Sequence, residues 1–140
     1  MSNVNARDLV ERYVAVWSEP DAATRRAAIE RLWTEDGVHV LHPPVEIRDA
    51  AGALGFAQTT LEARGYDEIE LRVARAYEEF VAPGEYRFRA SGEAVRLHDV
   101  VKFRWEMVPV GSDEAVGGGT DLFILGNDGR VQADYQFPGM

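Results

Sequence analysis

The sequence predicts an α+β fold in which one strongly curved, mainly antiparallel sheet carries three helices on its concave side. One observation is that apolar residues recur at helical spacing near the N-terminus and again between Ile69 and Phe80. Another is that apolar and polar residues alternate over most of the chain after Pro83-Gly84, as they do in strands with one buried face. A bent sheet covered by helices on one side encloses a cone, so this order of elements also predicts a pocket.

Length and composition limit the possible functions. The chain has 140 residues, of which 46% are hydrophobic, enough for a single domain over residues 1–140. Cysteine is absent, which excludes disulfides, thiolate metal sites and cysteine nucleophiles. The net charge of −9 and the lack of clustered Lys and Arg argue against nucleic acid as a partner. Because no apolar run reaches membrane-spanning length and the N-terminus has no apolar targeting segment, we expect a cytoplasmic protein with no membrane partner.

Two short antiparallel helices are predicted at the N-terminus. Asn5 can cap the first, which ends before Pro20, and Asp21 can cap the second, which ends near Gly37. The apolar stripe of the first helix consists of Ala6, Val10, Tyr13 and Trp17. The buried side of the second is expected to consist of Ala28, Ile29, Leu32 and Trp33. Arg25 is expected to lie in water.

A short strand, an insert and an edge strand follow. The strand is Val38–His42, and two prolines end it. Asp49–Gln58 is compatible with a short helix, and also with a flap that places Leu54 and Phe56 over the mouth of a pocket. Thr59–Arg64 fits a short edge strand.

A third helix and two further strands are predicted next. Asp67 can cap the helix, and its buried stripe consists of Ile69, Val73, Ala76, Tyr77 and Phe80. The strand that begins at Tyr86 is expected to turn near Gly92-Glu93. A long strand then carries on one face Asp99, Val101, Phe103, Trp105 and Met107.

The stretch Gly117–Phe137 predicts a final β-hairpin around Asn127-Asp128-Gly129. Asp121 lies in its first strand, on the same face as Phe123 and Leu125. A carboxylate in such apolar surroundings must be paired, exposed at the strand end, or shifted in pKa.

The opposite face of the same strand carries Leu122 and Ile124. A lone sheet in a small domain cannot cover both of its faces. We therefore expect a homodimer in which a second subunit packs on this outer face.

Three residues are candidates for catalysis, each with an ordinary alternative. Asp121 in an apolar pocket would gain a raised pKa and could donate to an oxyanion, or it could simply bond to a strand neighbour. Tyr13 could be a second donor or a core tyrosine. His42 could be a general base or an exposed loop histidine. Since His39 and His42 point to opposite faces of a strand, we expect no metal site.

Large apolar side chains converge from two helices and the sheet. They could form the wall of a substrate site or fill the core, and the sequence leaves both open. The candidates for the substrate-binding wall are Trp17, Trp33, Phe56, Phe103, Trp105 and Met107.

Four stretches resemble the NTF2-like superfamily, in particular its branch of SnoaL-like polyketide cyclases and ketosteroid isomerases. They are ERYVAVWSEPD, RLWTEDGVHVLHPP, EARGYDEIELRV and TDLFILGNDGRV. In this resemblance Tyr13 falls where the isomerases place a catalytic tyrosine, and Asp121 where they keep an aspartic acid in the oxyanion hole. Their catalytic base would fall near His42, which is not a carboxylate, and the Asp49–Gln58 insert has no counterpart.

The resemblance implies a small-molecule enzyme with a conical apolar pocket. It would transfer a proton on a carbonyl compound, either isomerising or cyclising a steroid- or polyketide-like substrate by aldol-type chemistry, without a cofactor. The alternative is a non-catalytic ligand-binding or dimerisation module of the same fold. An epoxide hydrolase would need a second pocket carboxylate and a positioned arginine, which the sequence does not identify.

Overall fold

The computed structural model describes residues 5–57 and 60–139, and over these residues it contains four α-helices and one six-stranded sheet. The helices are α1 (Ala6–Val16), α2 (Ala22–Leu32), α3 (Val45–Ala53) and α4 (Gly65–Ala76), which continues as a π-helical segment, Tyr77–Val81. The strands are β1 (Trp33–Leu41), β2 (Leu61–Arg64), β3 (Tyr86–Leu97), β4 (Val100–Pro109), β5 (Gly117–Leu125) and β6 (Val131–Pro138). The predicted fold class is confirmed, with four α-helices rather than three.

The strand order is β2-β1-β6-β5-β4-β3, with every neighbouring pair antiparallel except β1 and β6. The parallel pairing places His39 directly beside Asp134. The predicted hairpin of β5 and β6 is present, and the positive φ of 82° at Gly129 explains the glycine in its turn. Because β6 pairs with β1 on one side and with β5 on the other, it lies at the centre of the sheet, next to the strand that carries Asp121.

The turn between β3 and β4 lies at His98-Asp99, so the turn expected at Gly92-Glu93 is wrong. Gly92 has a φ of 70°, but the strand passes through it with a shift in pairing between Ser91 and Val95. A bulge of this kind accommodates a glycine without reversing the chain.

The second helix ends earlier than expected, because Trp33 already begins β1. The strand register shifts between Trp33 and Val38, and a Cβ at Gly37 would lie 2.8 Å from Trp33 Cδ1. Gly37 therefore lies within the strand rather than at a helix end. Arg25 is also buried rather than in water: its Nε and Nη2 donate to the Glu19 carbonyl at 3.1 and 2.7 Å.

The insert contains α3, which starts after Pro44 and ends at Ala53, before the expected segment ends. Leu54 and Phe56 follow it and are 78% and 62% exposed. The expected helix end at Gln58 and the expected strand start at Thr59 lie outside the described residues. The edge strand itself is confirmed as β2, antiparallel to β1.

The core lies between the inner face of the sheet and the helices. Its largest buried side chains include Trp33, Tyr13, Phe123, Leu9, Ile29, Leu32, Ile69 and Val73. The third predicted helix is present as α4, which begins at Gly65 rather than Asp67. Of its predicted stripe, Ile69 and Val73 are buried, whereas Ala76 is half-buried and Tyr77 and Phe80 lie half-buried in the π-helical segment. None of the helices in the described ranges combines the length and apolarity that crossing a membrane requires.

Candidate functional site

A buried cluster joins α1 to the two central strands. Asp121 on β5 and Asp134 on β6 are both 0% exposed, and Tyr13 reaches them from α1. The Tyr13 Oη lies 3.0 Å from Asp121 Oδ2 and 2.5 Å from Asp134 Oδ2. The apolar stripe of α1 directs Tyr13 inward, and the period of two along β5 directs Asp121 to the same side.

The number of available protons determines how this cluster is bonded. A phenol has one proton and can donate to only one of the two carboxyl groups. The other close contact therefore requires a proton on a carboxyl group, which donates to the Tyr13 oxygen. Two ionised carboxylates around one hydroxyl would leave two negative charges buried with too few donors.

The surrounding donors show which carboxyl group is ionised. Trp105 Nε1 donates to Asp121 Oδ1 at 2.7 Å, and Gln136 Nε2 lies 3.5 Å from Asp121 Oδ2. Within residues 5–57 and 60–139, Asp134 has no such donors, and its buried Oδ1 has no hydrogen-bond partner. The proton chain therefore runs from a protonated Asp134 through the Tyr13 hydroxyl to an ionised Asp121.

The pKa directions agree with this assignment. Burial, followed by the charge of Asp121, raises the pKa of Asp134 well above its ordinary value. Burial also raises the pKa of Asp121, but hydrogen bonds from Tyr13 and Trp105 oppose that rise. Burial and the two neighbouring carboxyl groups raise the pKa of Tyr13, so the phenol is neutral. The raised pKa expected for Asp121 is present, but the surrounding donors favour the proton on Asp134 rather than on Asp121.

His39 is the third ionisable group beside the carboxyl pair. Its Nε2 lies 3.6 Å from Asp134 Oδ2, and its Nδ1 lies 2.9 Å from Arg72 Nη1. Because a guanidinium only donates, Nδ1 is the acceptor and Nε2 carries the proton of a neutral imidazole. Burial, followed by the charge of Arg72, lowers the pKa of His39 to about 3. Its Nε2 is buried, and no residue in the described part of the chain forms a hydrogen bond with it.

His39, Asp121 and Asp134 each offer a ligand atom, all within 4.8 Å of one another. A metal bound at Nε2 of a neutral His39 would require the ring proton to move to Nδ1. That atom accepts from Arg72, and two donors cannot face each other without repulsion. The bonding of His39 therefore favours a proton network over a metal centre.

Trp105 occupies its position because of a glycine on the neighbouring strand. A Cβ added at Gly119 would lie 2.8 Å from Trp105 Cζ2 and 2.7 Å from the Phe137 carbonyl oxygen. Gly119 is paired with Trp105 across β4 and β5. The absence of a side chain lets the indole lie close over β5, so that Nε1 reaches Asp121.

A cavity of about 400 Å³ opens against this cluster. Its wall is mostly apolar, and its polar side chains belong to Tyr13, His39, Arg72 and Gln136. The rest of the wall includes Trp17, Leu41, Phe80, Phe88, Trp105 and Met107. Asp121 and Asp134 lie behind Tyr13 and His39, outside this wall.

The structure brings together two of the three candidate catalytic residues, Tyr13 and Asp121. His42 does not join them: it is exposed, lies outside the cavity wall, and its backbone N–H donates to the Gln136 carbonyl at 2.9 Å. The strand alternation that puts His42 outside puts His39 inside. His39 therefore occupies the place at the cavity that His42 was expected to take.

The candidate substrate wall divides into three groups. Trp17, Trp105 and Met107 border the cavity. Trp33 and Phe103 are instead buried in the core, at 0% and 2% exposure. Phe56 is largely exposed and lies away from the cavity. The flap hypothesis consequently has no support in the position of Phe56.

Sequence reasoning missed Asp134, Gln136, His39 and Arg72. A signal existed for Gln136, because the hairpin turn places it opposite Asp121. Asp134 follows a register irregularity in β6, which a plain alternation does not reveal. Arg72 lies on a helix far along the chain from β1, so its contact with His39 has no local signal.

Comparison with solved structures identifies the architecture. An isomerase, provisionally assigned as such, of the SnoaL-like family from Agrobacterium tumefaciens matches with a TM-score of 0.76 and 24% identity, over 96% of this chain and 97% of that chain. A SnoaL-like protein of unknown function from Burkholderia thailandensis matches with a TM-score of 0.65 and 15% identity, over 100% and 99% of the two chains. The chain has the NTF2-like fold.

The likeness to SnoaL-like proteins confirms the resemblance drawn from the sequence at the level of the fold. A protein provisionally assigned as a polyketide cyclase from Sinorhizobium meliloti has this fold too, with a TM-score of 0.57 and 14% identity over 93% and 94% of the two chains. No protein-family model and no curated protein matches the sequence. Function must therefore be argued from the site.

Proposed function

We propose that this NTF2-like protein transfers a proton on an apolar carbonyl compound bound in the cavity. The observation that supports the proposal is the buried chain from Asp134 through Tyr13 to Asp121, whose middle member borders the cavity. One end of the chain holds a proton and the other can accept one. Tyr13 is the member of this hydrogen-bonded chain that would contact a ligand in the cavity.

The removal of a proton would proceed through Tyr13. The C–H bond α to the carbonyl breaks, its proton goes to the Tyr13 oxygen, and the Tyr13 proton goes to Asp121. The electron pair of the C–H bond remains on the substrate as an enolate. The return of that proton from Asp121 through Tyr13 to another carbon of the substrate would complete an isomerisation and restore the ionised Asp121. Alternatively, attack of the enolate on a second carbonyl would form an aldol bond, and the proton held by Asp121 would pass through Tyr13 to the resulting alkoxide.

Two N–H donors at the cavity suit the developing enolate oxygen. Among the residues that the structure describes, none accepts a hydrogen bond from the Nε2–H of neutral His39, and the Gln136 amide lies next to it. Because the pKa of His39 is about 3, its imidazole stays neutral at physiological pH and serves as a hydrogen-bond donor. His39 and Gln136 together would take the role for which the sequence suggested Asp121.

The test is proton exchange in deuterium oxide. Wild type and variants would be incubated with 2-tetralone, a small apolar ketone with acidic α-protons, and exchange would be followed by NMR. We expect wild type to accelerate exchange and Tyr13→Phe and Asp121→Asn to lose at least about tenfold of that acceleration. Tyr86→Phe, in the first residue of β3, is a matched control. Full activity in Tyr13→Phe would reject the role of the chain.

A non-catalytic binding module is the alternative, and one observation favours it. Both carboxyl groups are 0% exposed, so a ligand in the cavity would not contact either directly. If this alternative holds, wild type binds the ketone, but the α-protons exchange no faster than they do in buffer without protein.

Epoxide hydrolysis has less support, although the structure supplies a second carboxyl group and an arginine. That chemistry needs a carboxylate that activates a water molecule inside the cavity. Asp121 and Asp134 are sealed behind the wall, and Arg72 pairs with neither of them within ion-pair distance.

We also propose that a second copy of this chain covers the outer face of the sheet. Leu122 and Ile124 are half-buried there, and their cross-strand neighbours Ala133 and Tyr135 extend the apolar surface. Tyr135 and Phe137 remain 38% and 51% exposed in the single chain. A two-fold arrangement would let this patch pack on itself.

A further inference from the structure

The cavity contains a single cationic side chain among the described residues, Arg72. Its position on α4 brings the guanidinium over the end of the cavity formed by β1. One nitrogen, Nη1, donates to the His39 carbonyl at 3.2 Å and the Leu61 carbonyl at 3.0 Å, and contacts His39 Nδ1. All three acceptors are neutral.

The rest of the guanidinium is available for a ligand. Within the described residues, Nε and Nη2 have no hydrogen-bond partner and no carboxylate forms an ion pair with Arg72. Most other arginines with side-chain bonds in this protein contact a carboxylate, as Arg26 does with Glu30 and Asp67. Arg72 is therefore a cation that is held in place through Nη1, and its Nε and Nη2 can still donate to a ligand.

The energetics of Arg72 point the same way. Partial burial lowers the pKa of its guanidinium, and the charge of Glu68 only partly offsets that cost from longer range. An arginine remains charged regardless. A half-buried cation without a close counter-ion is stabilised when an anion occupies its free edge.

We infer that the ligand of this cavity is an apolar keto acid whose carboxylate pairs with Arg72. The inference rests on the proposed use of the cavity as a substrate site. The carboxylate would accept from Nε and Nη2 in a bidentate arrangement, for which the planar fork of arginine is suited. The apolar body would fill the remaining volume against Trp105, Met107 and Phe88.

The fixed end of the guanidinium makes this recognition specific. Nη1 donates hydrogen bonds to the backbone carbonyls of His39 in β1 and of Leu61 at the start of β2. The guanidinium of Arg72 therefore cannot rotate freely into water. Less side-chain entropy is then lost when the anion binds. Lysine at this position would lack both the second donor edge and this anchoring.

The test compares an acid with its uncharged isostere on the full chain. Binding of 2-naphthoate and of 2-naphthamide would be measured by isothermal titration calorimetry at pH 7. We expect wild type to bind the acid at least about tenfold more tightly than the amide. Arg72→Gln should lose this preference while retaining its affinity for the amide, and Arg75→Gln, an exposed site on the same helix, should retain the preference.

Three results would overturn the inference. They are equal affinities in wild type, failure of wild type to bind either compound at millimolar concentration, and a preference that survives in Arg72→Gln. The wild-type comparison stands even if Arg72→Gln does not fold. Absence of ketone exchange together with a clear preference for the acid would reject the catalytic proposal alone.

Discussion

The Tyr13 Oη and Asp134 Oδ2 lie 2.5 Å apart at a junction of α1 and β6 that solvent does not reach. A separation this short fits a protonated carboxyl group that donates to a hydroxyl which itself donates to a carboxylate, because hydrogen bonds in such a chain polarise and strengthen one another. The ionised group is Asp121, on the far side of the same hydroxyl. Two contributions to the dependence of stability on pH follow from Asp134 in this three-member chain and from His39.

Asp134→Asn should stabilise the protein at neutral pH. The pKa of Asp134 is raised in the folded state, so the folded chain keeps a proton that the unfolded chain releases above about pH 4. Wild-type stability from this group is therefore complete below about pH 4 and declines as the pH rises toward the folded pKa. Asparagine removes this decline, and we expect the midpoint of thermal unfolding at pH 7 to rise by a few degrees, at about 4 °C per kcal/mol.

The control for that variant is Asp49→Asn, at an exposed site on α3. It should leave the dependence of unfolding on pH unchanged. Thermal unfolding followed by circular dichroism between pH 4 and 8 would make the comparison. A decline of stability with pH that is equally steep in Asp134→Asn and wild type would mean that Asp134 holds no extra proton.

His39 should produce the opposite dependence. Its pKa is lowered to about 3 in the folded state, whereas an unfolded histidine titrates near 6.5. The stability that neutral His39 contributes is complete above about pH 6.5 and is lost as the pH falls toward 3. His39→Gln should therefore lose less stability between pH 6.5 and 4.5 than wild type in urea unfolding.

The matched control is His42→Gln, because His42 is exposed on the other face of the same chain segment. It should unfold with the wild-type dependence on pH. NMR provides a second measurement, in which the His39 ring resonances stay constant from pH 7 to pH 5. A titration of that ring in this range would contradict its burial as a neutral donor. Since the effects of Asp134 and His39 oppose each other, the single variants are needed to separate them.

Gly119→Ala should destabilise the protein and displace Trp105. The added Cβ would lie 2.7 Å from a backbone oxygen, which cannot move as a flexible side chain can. We expect a loss of about 1–3 kcal/mol, typical of overpacking, together with a change in Trp105 fluorescence. Gly117→Ala, two residues earlier in the same strand, meets Met107 Cε and Cβ at ordinary distances of 3.6 and 3.9 Å and should be tolerated. Equal losses in the two variants would reject this explanation of Gly119.

Leu122→Lys should disrupt the proposed dimer. Lysine at the centre of an apolar interface would bury a charge without a partner. Sedimentation velocity should show a dimer for wild type and monomers or aggregates for the variant. Leu71→Lys on α4, where Leu71 is 55% exposed, should behave as wild type. A monomeric wild type, or an unchanged mass for Leu122→Lys, would reject the outer face as the interface.

The sequence by itself determined most of the elements and the inward direction of two site residues. Tyr13 follows the helical stripe of α1, and Asp121 follows the period of two along β5, so both directions are local properties of the chain. The Asn127-Asp128-Gly129 turn fixed the last hairpin for the same reason. These features need only the residues that adjoin them.

Only the tertiary structure decided which groups share the site. His39 reaches Asp134 because β1 pairs in parallel with β6, and Arg72 reaches His39 because α4 packs over β1. Such pairings join segments far apart in the chain, and no local periodicity specifies them. The assignment of the proton to Asp134 rather than Asp121 depends in turn on the donor from Trp105, which requires Gly119 on the neighbouring strand. Burial and hydrogen-bond geometry, which set each pKa, exist only once these segments have come together.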